Sequence, residues 1–131
     1  MSATKSYVPA LLKGTKKTLQ QIEEQGMKGI GKAKAFNRLH KPVCAFGWVV
    51  FHAGLLPQVE EMMKAKEESW NEGVADNFDI LRALDLMTAK SSAIKAALEH
   101  VTNKNDDDKR ITAEVVDALK ELEVALKQYK Q

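Results

Sequence analysis

The sequence predicts an all-α protein: an antiparallel bundle of about four principal helices with short connecting elements, in a single domain spanning 1–131. Three observations point there. Apolar residues recur at three- and four-residue spacings through several long stretches, which is the period of an amphipathic helix. Glycine, proline and polar runs fall where those stretches end. A composition of 44% hydrophobic and 29% charged residues is that of an ordinary globular chain, long enough to bury a substantial core.

The first helix begins near Pro9, which suits a first turn because its missing N–H has no helical partner to lose. Leu12, Thr15, Leu19 and Ile22 form its stripe, and it is expected to end near Gln25, before Gly26, Gly29 and Gly31. A flexible loop is expected there, then a short helical segment through Ala35, Phe36 and Leu39 that weakens before Pro42. The run Val43-Cys44-Ala45-Phe46-Gly47-Trp48-Val49-Val50-Phe51 is apolar throughout, so periodicity cannot separate helix from extended chain, and Gly47 favours a break. Pro57 opens a second long helix, with Val59, Met62, Met63, Lys66, Trp70 and Val74 on its stripe. Ile80, Leu84, Met87, Ser91, Ile94, Leu98 and Val101 then step by four and three, the seam of one continuous helix. The polar residues 102–109 read as an exposed connection. Thr112 is placed to cap the last helix, with Ile111 and Val116 as a hydrophobic staple and Val115, Leu119, Leu122, Leu126 and Tyr129 as its seam. The expected common core contains Trp48, Val59, Met62, Leu84, Ile94, Leu98, Leu119, Leu122 and Leu126.

Charge is uneven along the chain. Residues 1–41 hold nine Lys or Arg against two Glu, a net +7, and the remainder holds eleven against sixteen acidic residues, a net −5. A basic segment of this kind suits an acidic protein surface or anionic lipid, or is simply a solvated face. Nucleic acid is not expected as a partner, because no aromatics interleave with the lysines and zinc-finger spacing is missing. The longest apolar run is about half a membrane span, so no membrane-spanning segment is expected, and the start of the chain shows no signal core. With Cys44 as its single cysteine the chain has no disulfide framework, which fits a reducing, cytoplasmic location.

Residues that carry chemistry are sparse. His40, His52 and His100 do not share metal-ligand spacing, and no metal is expected. Asp106, Asp107 and Asp108 lack the glycine turn and distal Glu of a calcium loop. Gly26, Gly29 and Gly31 lack the Lys-Ser/Thr of a phosphate-binding loop, so no cofactor is expected and no catalysis. Glu60-Glu61 and Glu67-Glu68 read as the solvent side of the Pro57 helix, and Met62 and Met87 as core filling.

One stretch is distinctive. Ala45-Phe46-Gly47-Trp48-Val49-Val50-Phe51-His52-Ala53-Gly54-Leu55-Leu56-Pro57-Gln58-Val59-Glu60-Glu61-Met62 resembles the central signature of the helical folded domain of adenylyl cyclase-associated proteins. In that family a Gly-Trp-Val is followed at a fixed interval by Pro-x-Val-x-Glu, and then by an alanine and an asparagine to which Ala65 and Asn71 correspond. Leu11-Leu12, Thr15, Lys17 and Gln20, and then Phe36-Asn37-Arg38-Leu39, resemble its preceding helix and turn. The resemblance implies an actin-regulatory binding module that acts on cofilin-bearing filament ends and promotes filament turnover, in the cytoplasm and at the cytoskeleton. The match begins near the family's third helix, so the segment associated with adenylyl cyclase binding has no counterpart; nor do the carboxy-terminal domains. Phe46, Gly47, Trp48, Val49, Val59 and Met62 carry the signature and are expected in the core. Partner contact is expected from Asn37, Arg38, Lys41, His52, Pro57, Glu61, Lys64 and Asn71. The alternatives are a helical adaptor or scaffold with a non-actin protein partner, and a peripheral anionic-lipid binder using the basic first third.

Overall fold

The computed structural model describes residues 7–31, 34–36, 41–65, 75–76, 80–82, 84–85, 88 and 91–129, with main chain alone at 34–35, 63–65 and 75–76. The chain is mostly helical. Among the described residues the helices with full bounds are α1 (Val8–Gln25), α2 (Ala45–Ala53), α3 (Leu56–Ala65), α4 (Ser92–Asp106) and α5 (Thr112–Gln128). Two very short strands, β1 (Lys34–Phe36) and β2 (Ala75–Asp76), pair antiparallel. Helical backbone recurs at 80–82 and 84–85. Helix α1 packs on α2 and α5, and α4 packs on the same two, closing a ring of four helices around the core.

Pro9 lies in the first turn of α1, and Gly26 ends that helix at φ 66°, donating its N–H to the Ile22 carbonyl at 2.7 Å. The buried face runs through Val8, Leu11, Gly14, Thr15, Thr18 and Ile22, while Leu12 and Leu19 flank it, partly buried. Two threonines can be buried there because each hydroxyl donates to a carbonyl one turn back: Thr15 to Leu11 and Thr18 to Gly14, both at 2.8 Å.

The apolar run after Pro42 is a helix rather than a break. Cys44 is its N-cap, with Sγ accepting from the Gly47 N–H at 3.4 Å, and left-handed Gly54 at φ 72° ends it. An interior glycine costs a helix only about 1 kcal/mol, less than burying one large apolar side chain contributes. Here Phe46, Val49 and Val50 are all fully buried around Gly47. The segment expected to be helical around Phe36 is instead extended at Lys34–Phe36, and Phe36 also bridges to Pro42. Leu39 lies outside the described residues.

Helix α3 starts as expected with Pro57 in its first turn and Val59 fully buried. Its described span ends at Ala65; Lys66, Trp70 and Val74 lie outside the described residues, and the chain is extended at Ala75–Asp76. The seam of residues 80–101 is correct as a core at its described apolar positions and incorrect as one helix; Met87 lies outside the described residues. Ile80, Leu84, Ile94, Leu98 and Val101 are all fully buried. Ser91, however, sits outside helical geometry at ψ 118° and accepts from the Ile94 N–H at 3.3 Å, so it caps a new helix. Serine at the N-cap satisfies a donor that a continuous helix would have paired internally.

Residues 102–106, expected in an exposed connection, are the last turns of α4. Thr102 donates to the Leu98 carbonyl at 3.1 Å, and Asn105 is fully buried. The Asn105 carbonyl oxygen accepts from the Ala45 N–H at 3.3 Å, and its amide donates to the Gly31 carbonyl at 3.0 Å. One side chain thereby ties together the loop after α1, the start of α2 and the end of α4. Arg110 donates to the same Gly31 carbonyl at 3.1 Å, and the Gly31 N–H donates to Val43 at 2.7 Å. The true connection, 107–110, turns on Asp107, which accepts from the Lys109 N–H at 2.8 Å. At α5 the N-cap is Ile111, without a side-chain hydrogen bond and 52% exposed, so Thr112 is the first helical residue rather than the cap. The α5 seam holds: Val115, Leu119, Leu122 and Leu126 are buried, with Tyr129 packed beside them.

Candidate functional site

Helix α2 presents Trp48, Phe51 and His52 at helical spacings of three and four, which brings the three rings together on one face. Trp48 and Phe51 meet edge to face with centroids 5.5 Å apart, and His52 lies 5.4 Å from Trp48 and 5.6 Å from Phe51. Phe51 is 47% exposed, whereas its neighbours in the chain, Val49 and Val50, are fully buried. Trp48, expected wholly in the core, is only partly buried and packs against it from the edge.

Beside this face, α1 and the turn after it complete an open cleft of about 500 Å³. Trp48 and His52 form one wall, and Lys17, Gln21, Glu24 and Lys28 are among the residues opposite. The two walls are joined by a 2.8 Å hydrogen bond between His52 Nε2 and Gln21 Oε1. Gln21 Oε1 can only accept, so His52 donates from Nε2 and the neutral ring carries its proton there. Partial burial pushes the His52 pKa below the usual histidine value, and the nearby Lys17 ammonium pushes it the same way. The imidazole is therefore neutral at pH 7. Along α1, on the opposite wall, Gln20 donates to Glu24 at 3.1 Å. The Trp48 indole nitrogen is screened from water and has no acceptor among the described residues. A donor in that state costs the fold free energy that an acceptor would return.

The expected contact residues that are described, Lys41, His52, Pro57 and Glu61, fall in separate places. Asn37, Arg38 and Asn71 lie outside the described residues, as does the Lys64 side chain. Lys41 is exposed just before the Phe36–Pro42 bridge. Pro57 and Glu61 share a separate shallow depression of about 330 Å³ with Tyr7, Gln58 and Met62. Of the described ones, His52 alone lines the cleft. Of the signature residues, Phe46, Gly47, Val49 and Val59 are buried, and Met62, like Trp48, is partly exposed. Lys17, Gln21, Lys28 and Phe51 were not expected in any site. Their signal is helical spacing, which pairs Lys17 with Gln21 and Trp48 with Phe51 once both segments are read as helices.

Cys44 is fully buried, and burial pushes its thiol up to about 12, so it acts as a cap and not as a nucleophile. Among the described residues no three His, Cys, Asp or Glu side chains converge as metal ligands would. His100 instead pairs with Glu121 at 2.9 Å between α4 and α5. No described helix is long and apolar enough to cross a membrane. Fold and site together define a mostly helical protein with an aromatic face beside a polar cleft. The chain matches no protein-family model, no curated protein and no solved structure.

Proposed function

We propose that the protein is a helical binding module that docks another protein through the α1–α2 face and makes or breaks no bond itself. The observation that carries this reading is the aromatic cluster of α2, in which Phe51 is 47% exposed in contact with Trp48 and His52. Aromatic residues set in a polar surround are the usual anchors of protein interfaces, because a rigid ring buries much area for little lost entropy. The ring of α1, α2, α4 and α5 is read as an antiparallel four-helix bundle, a reading supported by the short connection between α4 and α5.

The partner in this proposal is the cofilin-bearing end of an actin filament, in the cytoplasm, and the effect is faster filament turnover. That choice rests on the residue-level resemblance across 45–62 to the helical domain of adenylyl cyclase-associated proteins, a stretch that includes the aromatic face. Co-sedimentation with actin filaments, with and without cofilin, tests it. Wild-type protein is expected to pellet with cofilin-decorated filaments, and Phe51→Ala to pellet less. Reversing the charges of Arg38 and Lys41 to Glu is expected to weaken binding more at low salt than at high salt, since charges of the basic segment act mainly by steering encounter. No cofilin-dependent pelleting of folded protein would remove actin from the reading and leave an adaptor with another partner.

A further inference from the structure

The cleft beside the aromatic face has a chemical bias that the aromatic cluster alone does not explain. Its one buried unsatisfied group among the described residues is a donor, and its charge is net positive. The Trp48 indole N–H has no acceptor, and Lys17 and Lys28 bring two ammonium groups with no ion pair among the described residues. Among the described lining residues Glu24 is the only carboxylate, a single negative charge facing two ammonium groups; one of its oxygens accepts from Gln20, and Gln21 Oε1 accepts from His52. A buried N–H without a partner and an excess of ammonium over carboxylate groups favour an anionic acceptor.

We propose that this cleft is a carboxylate-binding notch for an acidic segment of the partner protein, with a Glu or Asp side chain entering between Lys17 and Lys28 and accepting from the Trp48 indole N–H. The inference rests on the α1–α2 face being the docking surface, and adds which chemistry that surface selects. The indole nitrogen is screened from water, so a carboxylate that reaches it must displace the side chains covering it. Lys17, Gln20, Glu24, Gln25 and Lys28 are all exposed and long, and can swing aside at little cost in packing. An apolar residue next to the carboxylate would then lie against exposed Phe51. A protein carboxylate fits better than phosphate: among the described lining residues there is no arginine fork, and the indole offers a single neutral donor.

The test uses the free protein and short peptides, without actin, so it fails or succeeds separately from the filament assay. The indole N–H resonance of Trp48, assigned by its loss in Trp48→Phe, is followed in two-dimensional proton–nitrogen spectra during titration with acetyl-Glu-Glu-Leu-amide at low salt. A saturable downfield shift is expected, with the isosteric acetyl-Gln-Gln-Leu-amide binding about three- to tenfold more weakly, the size of effect two exposed ion pairs supply. The double variant Lys17→Gln, Lys28→Gln, checked for an unchanged melting temperature, is expected to lose affinity for the Glu peptide by a similar factor. Three results would overturn the proposal: no saturable shift, equal affinity for the Glu and Gln peptides, or affinity for the Glu peptide unchanged in the double variant. Inorganic phosphate or phosphatidylserine vesicles moving the same resonance more strongly than the Glu peptide would also overturn it, by assigning the notch to phosphate groups.

Discussion

Replacing Gly14 with alanine places a methyl group at the point where α1 meets α2. A Cβ built on Gly14 overlaps the Val49 carbonyl oxygen, and it stands 2.9 Å from both the Cβ and the backbone nitrogen of Ala53. Two of these three atoms are backbone, so no side-chain rotation relieves the clash, and the helices must move apart. Overpacking of a tight core costs about 1 to 3 kcal/mol and sometimes more, and a rigid backbone partner places this site at the upper end. Alanine returns about 1 kcal/mol through its better helix propensity, leaving a net loss of about 2 kcal/mol or more. For a domain of this size that lowers the melting temperature by about 6 to 10 °C. The assay is reversible thermal unfolding followed by circular dichroism at 222 nm. The sign is diagnostic: if α1 and α2 did not approach at Gly14, helix propensity alone would make Gly14→Ala more stable than wild type. A raised melting temperature would therefore refute the packing of these two helices.

Asn105→Ala leaves the buried Ala45 N–H without its acceptor and removes one of two donors to the Gly31 carbonyl, so a loss of about 2 kcal/mol is expected in denaturant unfolding. Cys44, with its thiol pushed up to about 12, is expected to resist iodoacetamide at neutral pH while folded and to react once denaturant exposes it. His52 has a lowered pKa in the fold, so the folded state binds its proton less readily than the unfolded chain. The stability tied to this group is present above the ordinary histidine pKa of about 6.5 and is lost as pH falls from there through the depressed folded value. His52→Gln is expected to flatten that part of the stability profile, and the wild-type His52 ring is expected to titrate below the ordinary value by NMR.

Much of the core was legible in the sequence, because apolar residues at three- and four-residue spacings leave few other places to go. Leu84, Ile94, Leu98, Leu119, Leu122 and Leu126 are buried as their periodicity implied. The misreadings have local physical causes. A seam that keeps its phase does not reveal an interruption, so Ser91 read as a small seam residue while its hydroxyl in fact starts a new helix. A polar run reads as solvent-exposed, yet Asn105 is buried because two of its hydrogen-bond partners come from residues 60 and 74 positions earlier in the chain, pairings that spacing along one helix cannot show. Gly47 argued for a break because propensity was weighed without burial. Once Ala45–Ala53 is helical, Trp48, Phe51 and His52 fall on one face, and the cleft follows from that error corrected. The strand pairing of Lys34–Phe36 with Ala75–Asp76 involves too few residues for any period to appear.

Cofilin-driven disassembly of single actin filaments, watched by fluorescence microscopy, tests the central proposal most directly. Wild-type protein is expected to accelerate loss of subunits from filament ends in the presence of cofilin, and Phe51→Asp, matched to wild type in helix content and melting temperature, to lose most of that effect. Disassembly rates unchanged by folded wild-type protein at concentrations well above cofilin, or equally raised by Phe51→Asp, would contradict docking of filament ends by the aromatic face of α2.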